Sequence, residues 1–370
     1  MTEISLILFI IICTTLSLAP LIRETRHLYP YIPIAQFLLV SLFLLLRDPM
    51  AATDADNYGN MYSSVSGFWS IFQSYHGNFV FTFFMFLGKQ LSLDLKSFLL
   101  VYPIICFSFS FIGISLLTSY RYLPIGLSFF IINPGFILLF SNVLRQGLAL
   151  SFLFLAIACH FRGKNKLKYL FFVLTIFSHF SSLIIIVTFF ITIYLSKGKT
   201  NPQIIKMMGL VALMTPIILL ISVSTPQLLV SLSQLGGLFT KIDQYYSEYD
   251  YESKIFYVKL AFSFLLSIAN LFIITNFSRK EMVSPSTYTF MFFIQTSILI
   301  VFLFLPIPLI ASRLLYYSEL LVSVVIVNTY RAIATGNQLR YINFYLLWLL
   351  TIMVGAFVYL YPSIRTATGL

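Results

Sequence analysis

The chain has 370 residues, of which 59% are hydrophobic and only 9% charged, and its mean hydropathy is +0.94. A water-soluble domain carries about a quarter charged residues, so composition alone excludes a soluble globular protein and points to an integral membrane chain. The formal net charge of +11 is spread over short segments between apolar runs, which fits membrane topology better than nucleic-acid binding.

The N-terminus, "MTEISLILFIIICTTLSLAP", has an apolar run with Glu3 as its only charge and no basic residue before it. It reads as a first span and not a cleaved signal peptide. Further runs of spanning length lie near 31–46, 97–120, 122–141, 143–161, 207–224, 255–277, 287–311, 314–330 and 341–361. Helices, and not the short alternating strands of a barrel, are the way such runs satisfy their backbone in lipid. The expected fold is therefore all-α, a polytopic transmembrane bundle of about twelve spans, with residues 1–370 as one membrane domain.

Two stretches fit poorly. Residues 79–93 are short for a span and read as re-entrant or interfacial. Residues 169–195 would cover about 40 Å as one helix against a hydrocarbon core of about 30 Å, so two short helices meeting near His179 are expected there. Placing 23–30, 119–122, 162–168, 196–206, 278–286 and 331–340 in the cytoplasm gives those loops 14 of the 23 basic residues, in line with the positive-inside rule. The two long loops, 47–78 and 225–254, then fall on the extracytoplasmic side together with Arg145 and Arg313. Loops of that length are uncommon unless functional.

The first long loop contains "TDADNYGNMY", with Asp54, Tyr58 and Tyr62 spaced four and four. On a helix they share one face and are expected to offer a carboxylate and two phenols to a polyhydroxylated ligand; an amphipathic interfacial helix fits the same pattern. Asp54 and Asp56 also form a D-x-D, a weak pattern for a metal. Next, "INPGF" interrupts a helix at Pro134, and Asn142, Arg145, Gln146 and Ala149 form a polar-to-small stripe. An arginine there can snorkel to the interface, yet ionisable residues within spans usually face a cavity. His179 sits in "FSHFSS", at the expected helix break, where its near-neutral pKa suits a proton or a phosphate.

The second long loop, "KIDQYYSEYDYESK", sets Tyr249 and other tyrosines among carboxylates, a composition suited to stacking on sugars. Late in the chain "IASRLLYYSELL" places Arg313, Tyr316 and Tyr317 at helical spacing, with Glu319 further in. Arginine grips phosphate oxygens well. The cysteines Cys13, Cys106 and Cys159 each lie in an apolar run and read as packing residues. Walker A, G-x-S-x-G, H-E-x-x-H and dinucleotide-binding patterns are absent from the sequence, which disfavours nucleotide-driven transport and hydrolysis.

In order along the chain, D-x-x-x-Y-x-x-x-Y (Asp54, Tyr58, Tyr62), R-Q-x-x-A (Arg145, Gln146, Ala149), H-x-S-S (His179, Ser181, Ser182) and S-R-L-x-Y-Y (Arg313, Tyr316, Tyr317) resemble the Wzy/EpsG type of O-antigen and exopolysaccharide polymerase. The chain departs from that pattern after the tyrosines, where "QSYHGNF" stands in place of an acidic turn. The resemblance implies a GT-C-like enzyme of the bacterial inner membrane that faces the periplasm. Its substrate would be an undecaprenyl-pyrophosphate-linked glycan, and its partners would be membrane lipid and the chain-length regulator and flippase of the same pathway. The catalytic set it implies is Asp54, Arg145, His179 and Arg313. Substrate contacts would come from Asp56, Tyr58, Tyr62, Gln146, Tyr249, Tyr316, Tyr317 and Glu319. No metal or other cofactor is called for if the arginines hold the diphosphate. A ligase sharing the same donor, or a flippase for lipid-linked oligosaccharide, stands as the alternative.

The topology is directly testable. A reporter enzyme active only outside the cytoplasm should be active when fused after residue 60 and silent when fused after residue 165. The opposite pattern inverts the assignment.

Overall fold

The structure, a computed structural model, describes residues 29–72, 78–224, 285–305 and 308–333, with isolated positions between 12 and 16 and between 260 and 275. The expected spans at 4–22 and 341–361, most of 255–277, and the loop 225–254 with Tyr249 lie outside the described residues. Among those described, all regular structure is helical. The chain is a polytopic helical membrane protein. It groups into two compact units, one of residues 1–183 and 326–370, the other of residues 184–325.

The first unit begins with α1 (Tyr31–Leu46), the bounds expected from its apolar run. Pro33 is accommodated in the first turn, where backbone N–H groups have no intrahelical partner. After a 3-10 turn at Pro49–Ala51 comes α2 (Ala55–Ser64), then α3 (Phe79–Gln90) and α4 (Leu95–Leu117). Asp94 caps α4, its side chain accepting from the Ser97 N–H at 2.8 Å. The apolar run at 122–141, expected as one span, is instead two helices, α5 (Leu123–Ile132) and α6 (Pro134–Ser141), bent by 73°. The cause is local: Pro134 brings no backbone donor, and the Asn133 side chain caps the new helix by accepting from the Gly135 N–H at 2.7 Å. Then follow α7 (Leu144–Phe161) and α8 (Asn165–Ser178).

The last two form an antiparallel hairpin turned at Gly163, whose φ of +70° belongs to the left-handed region that favours glycine. Because α7 and α8 run in opposite directions from that turn, the start of α7 and the end of α8 come to the same end of the hairpin, within about one helical turn of each other at about 1.5 Å per residue. Arg145 and His179 are therefore brought to one level.

Polar pairs and small residues fix the packing, as expected between membrane helices. Gln36 of α1 donates to the Pro124 carbonyl and the Ser128 hydroxyl of α5 at 3.1 and 2.8 Å. Ser110 of α4 donates to Ser151 of α7 at 2.9 Å. A Cβ on Gly113 would fall 2.6 Å from the Cβ of Phe154, and one on Gly147 would fall 2.5 Å from the Leu139 carbonyl oxygen. The two glycines let α4 and α6 approach α7 closely.

The second unit contains most of α9 (Ser182–Ser196), with α10 (Asn201–Ser224), α11 (Pro285–Leu303) and the greater part of α12 (Pro308–Ile333). α10 packs against α11, and α9 reaches α11 through the perpendicular rings of Phe189 and Phe293, 5.1 Å apart. The helices α8 and α9 stop and restart on either side of 179–181, so the expected break at His179 is present. Among the described residues five helices are long and apolar enough to cross a membrane, or six with the bent pair.

The tight crossing at Gly147 makes a prediction. Gly147→Ala should lower unfolding stability in detergent by about 1–3 kcal/mol, the usual cost of forcing a group into a packed interior. Gly209→Ala, where a Cβ would meet nothing within 4 Å, should cost nothing. Equal stability of the two variants would show that the close approach of α6 and α7 is not present.

Candidate functional site

Between Ser141 and Leu144 the chain leaves α6 and enters α7, and the residues there meet the first loop. Asn142 is the hub. Its side-chain oxygen accepts from the backbone N–H of Asp54 at 3.0 Å and from the Thr53 hydroxyl at 3.1 Å, while its amide nitrogen lies 2.9 Å from the same hydroxyl. Its backbone carbonyl accepts from the Tyr58 hydroxyl at 2.9 Å, and that hydroxyl in turn accepts from the Leu144 N–H at 2.9 Å. The phenol thus reinforces a carbonyl and an amide at the helix break that also bond each other at 3.0 Å.

The far end of α2 is also tied down. Tyr62 donates to the Leu93 carbonyl at 2.6 Å. From α3, Lys89 donates to the carbonyls of Ser63 and Val65 at 3.2 and 2.6 Å, with its ammonium 5.2 Å from the Tyr62 ring centre. The sequence reading offered the phenols of Tyr58 and Tyr62 to a ligand. Here both are buried and donate to backbone carbonyls, so each has a structural role at the site. Burial raises both hydroxyls above the usual phenol range, so both remain neutral hydrogen-bonding groups.

Arg47 is a residue that sequence reasoning missed. Directly after α1, it is almost fully buried and donates to the Ser141 carbonyl at 2.7 Å and the Leu99 carbonyl at 2.6 Å. Burial pulls its guanidinium down to about 10, against the opposing influence of Tyr58 and Asp48, and it is still a cation at neutral pH. In sequence it resembles any arginine that ends an apolar run and snorkels outward; only the broken helix opposite explains why it turns in.

Two charged groups stand around the Tyr58 hydroxyl at this hub. Arg145, half-buried in the first turn of α7, lies over the Tyr58 ring, 6.0 Å from its centre, and acts on the Tyr58 hydroxyl through its charge and a side-chain hydrogen bond. Its Nε is buried and finds no acceptor. Asp54 stands at the head of α2, half-buried, and its carboxylate makes no capping bond. It too bears on Tyr58. A cation and a carboxylate are thus held around one phenol, on two helix starts that share Asn142.

The other expected residues are distributed as follows. His179 follows the last residue of α8 and is buried; its N–H donates to the Thr175 carbonyl at 3.2 Å, and its carbonyl accepts from the Ser182 N–H at 3.0 Å. The hairpin brings it to the level of Arg145. Gln146 is fully buried in α7, and Asp56 is exposed in the first turn of α2. In the second unit Arg313 and Tyr316 are half-buried, and Tyr317 and Glu319 buried, along α12.

A model of the EpsG family matches residues 30–366. The chain belongs to the EpsG family. No curated protein and no solved structure matches it. Membership assigns this EpsG-family protein a polymerase-type function in the membrane, and the matched segment takes in the hub, His179 and α12 alike.

The structural role of Tyr58 separates from any role in chemistry. Tyr58→Phe removes a bridge that serves two buried backbone groups and should cost about 1–3 kcal/mol in unfolding stability, with Tyr62→Phe costing less because it strands one carbonyl. A Tyr58→Phe protein as stable as wild type would refute the bridge.

Proposed function

We propose that this protein is a glycosyltransferase that polymerises lipid-linked oligosaccharide repeat units at the periplasmic face of the bacterial inner membrane. The growing glycan on undecaprenyl pyrophosphate is the donor, and the non-reducing end of an incoming lipid-linked repeat unit is the acceptor. The observation that supports this most is that a half-buried cation, Arg145, and a half-buried carboxylate, Asp54, both bear on the Tyr58 hydroxyl at the Asn142 hub. Family membership supports polymer formation.

In the reaction the acceptor hydroxyl oxygen forms a bond to the anomeric carbon as that carbon's bond to the diphosphate breaks. The bonding pair leaves with the diphosphate, and the hydroxyl proton passes to a base. Charge builds on the leaving oxygen as the sugar becomes oxocarbenium-like, so a cation already in place favours the transition state over the ground state. Arg145 takes that role, with Arg313 as a second cation and His179 as a phosphate contact or proton donor. Asp54 is the base for the acceptor hydroxyl, and Asp56 and Glu319 lie behind it in preference. With arginines holding the diphosphate, no metal is required. Sugar contacts fall to Tyr58, Tyr62, Gln146, Tyr249, Tyr316 and Tyr317.

Purified protein with a synthetic lipid-linked repeat unit tests the reading. A ladder of products is expected from wild type. A single transfer would make the protein a ligase, and movement across the bilayer without a new bond would make it a flippase. Arg145→Ala and Arg313→Ala should fold and yet stop at one repeat unit, with a loss of at least about a hundredfold in rate, the usual effect of removing one preorganised charge contact. Asp54→Asn should be as slow; full activity would remove Asp54 as the base.

A further inference from the structure

The loop that leaves the hub ends in an aromatic surface that the reading above does not use. Past α2, a short 3-10 helix at Phe68–Ile71 presents Phe68, Trp69 and, just after it, Phe72, which are 50%, 76% and 58% exposed. Their rings touch one another at centroid distances of 5.8 to 6.1 Å. The cluster then continues, from Phe72 to Phe79 at 6.2 Å and from Phe79 to Phe177 of α8 at 5.5 Å. Phe177 belongs to an exposed stripe on α8 with Leu170 and Val173, whose spacings of three and four place them on one helical face.

We infer that Phe68, Trp69 and Phe72 insert into the headgroup boundary of the bilayer and anchor the loop that holds α2. An exposed apolar stripe on a helix of a membrane-embedded chain faces lipid, and the aromatic cluster joins that stripe at Phe177, at the end of α8 and not its middle. From Leu170 to Phe177 the stripe runs about 10 Å and stops in the last turn of α8, and the anchor places that end where hydrocarbon gives way to headgroups. Trp is the residue most suited to that boundary, with a large apolar ring and one N–H that remains wet. Lys89 turns its ammonium back onto the carbonyls of Ser63 and Val65. Only Val65, Ser66 and Gly67 separate the patch from the end of α2. The anchor therefore fixes the depth of Asp54, and the relevance of that depth to a prenyl diphosphate rests on the function proposed above.

The chain has two tryptophans, so Trp348→Phe leaves Trp69 as sole reporter. In vesicles of phosphatidylcholine brominated at defined acyl positions, Trp69 emission should be quenched at least twofold more by bromines near the headgroup than by bromines near the acyl end. Quenching strongest from the acyl end, or quenching by aqueous iodide with none from lipid, overturns the anchor. Protection from both quenchers also overturns it, since a protein partner would then cover the patch. If Trp348→Phe folds poorly, the difference between wild type and Trp69→Phe isolates the same signal. Quenching reads position alone, so the anchor and the glycosyl-transfer reading succeed or fail separately.

Discussion

In a bilayer a helix can be interrupted only where other protein groups take over the backbone donors and acceptors that the break releases, and everything at the candidate site follows from how this chain does so between Ser141 and Leu144. The Ser141 carbonyl goes to Arg47, the Asn142 carbonyl to the Tyr58 hydroxyl and the Leu144 N–H, and that N–H to the same hydroxyl as well. A loop helix and the end of α1 thereby become structural parts of the α6–α7 junction. Because the bonds are to buried backbone, their loss would leave groups with no water to turn to, and the loop is correspondingly fixed.

That division of labour separates groups that hold from groups that remain for chemistry. Arg47, Tyr58, Tyr62, Asn142 and Lys89 each face a backbone partner. Arg145 and Asp54 stand at the same junction, both half-buried and both acting on the Tyr58 hydroxyl. A site that stabilises developing charge needs cations held in place before the reaction begins. Rigid neighbours supply that at no further cost at the moment of reaction, and a half-buried guanidinium acts more strongly there than one in water.

Much of the frame was legible in the sequence because hydrophobic length is a one-dimensional signal. The bounds of α1 follow from its apolar run, and the division of 169–195 at His179 follows from a stretch too long for one span. Pro134 announced an interruption, though not that it would part 122–141 into two helices at 73°. What the sequence could not convey was which partner each polar side chain meets. Four-residue spacing puts Asp54, Tyr58 and Tyr62 on one face, and that much is right, but spacing does not say whether the face looks toward solvent or toward a broken helix 80 residues later in the chain. Arg47 escaped notice for the same reason: its role depends on carbonyls at Leu99 and Ser141, contacts with no local signature.

The same logic explains why one helix face can hold groups of opposite purpose. Tyr58 is drawn inward because Asn142 and Leu144 present an acceptor and a donor at phenol distance, whereas Asp54, one turn earlier, meets the Asn142 side chain through its backbone N–H. A carboxylate brought to that amide oxygen would gain no donor from it, so the geometry turns the backbone and not the side chain toward the hub. The outcome is a helix start whose peptide group is fixed and whose carboxylate, like Arg145, acts on the Tyr58 hydroxyl. Moving the carboxylate by a single residue along α2 would rotate it by about 100° around the helix axis and away from that phenol, so it is the register of this short loop helix, set by Tyr58, that keeps carboxylate and cation around one hydroxyl.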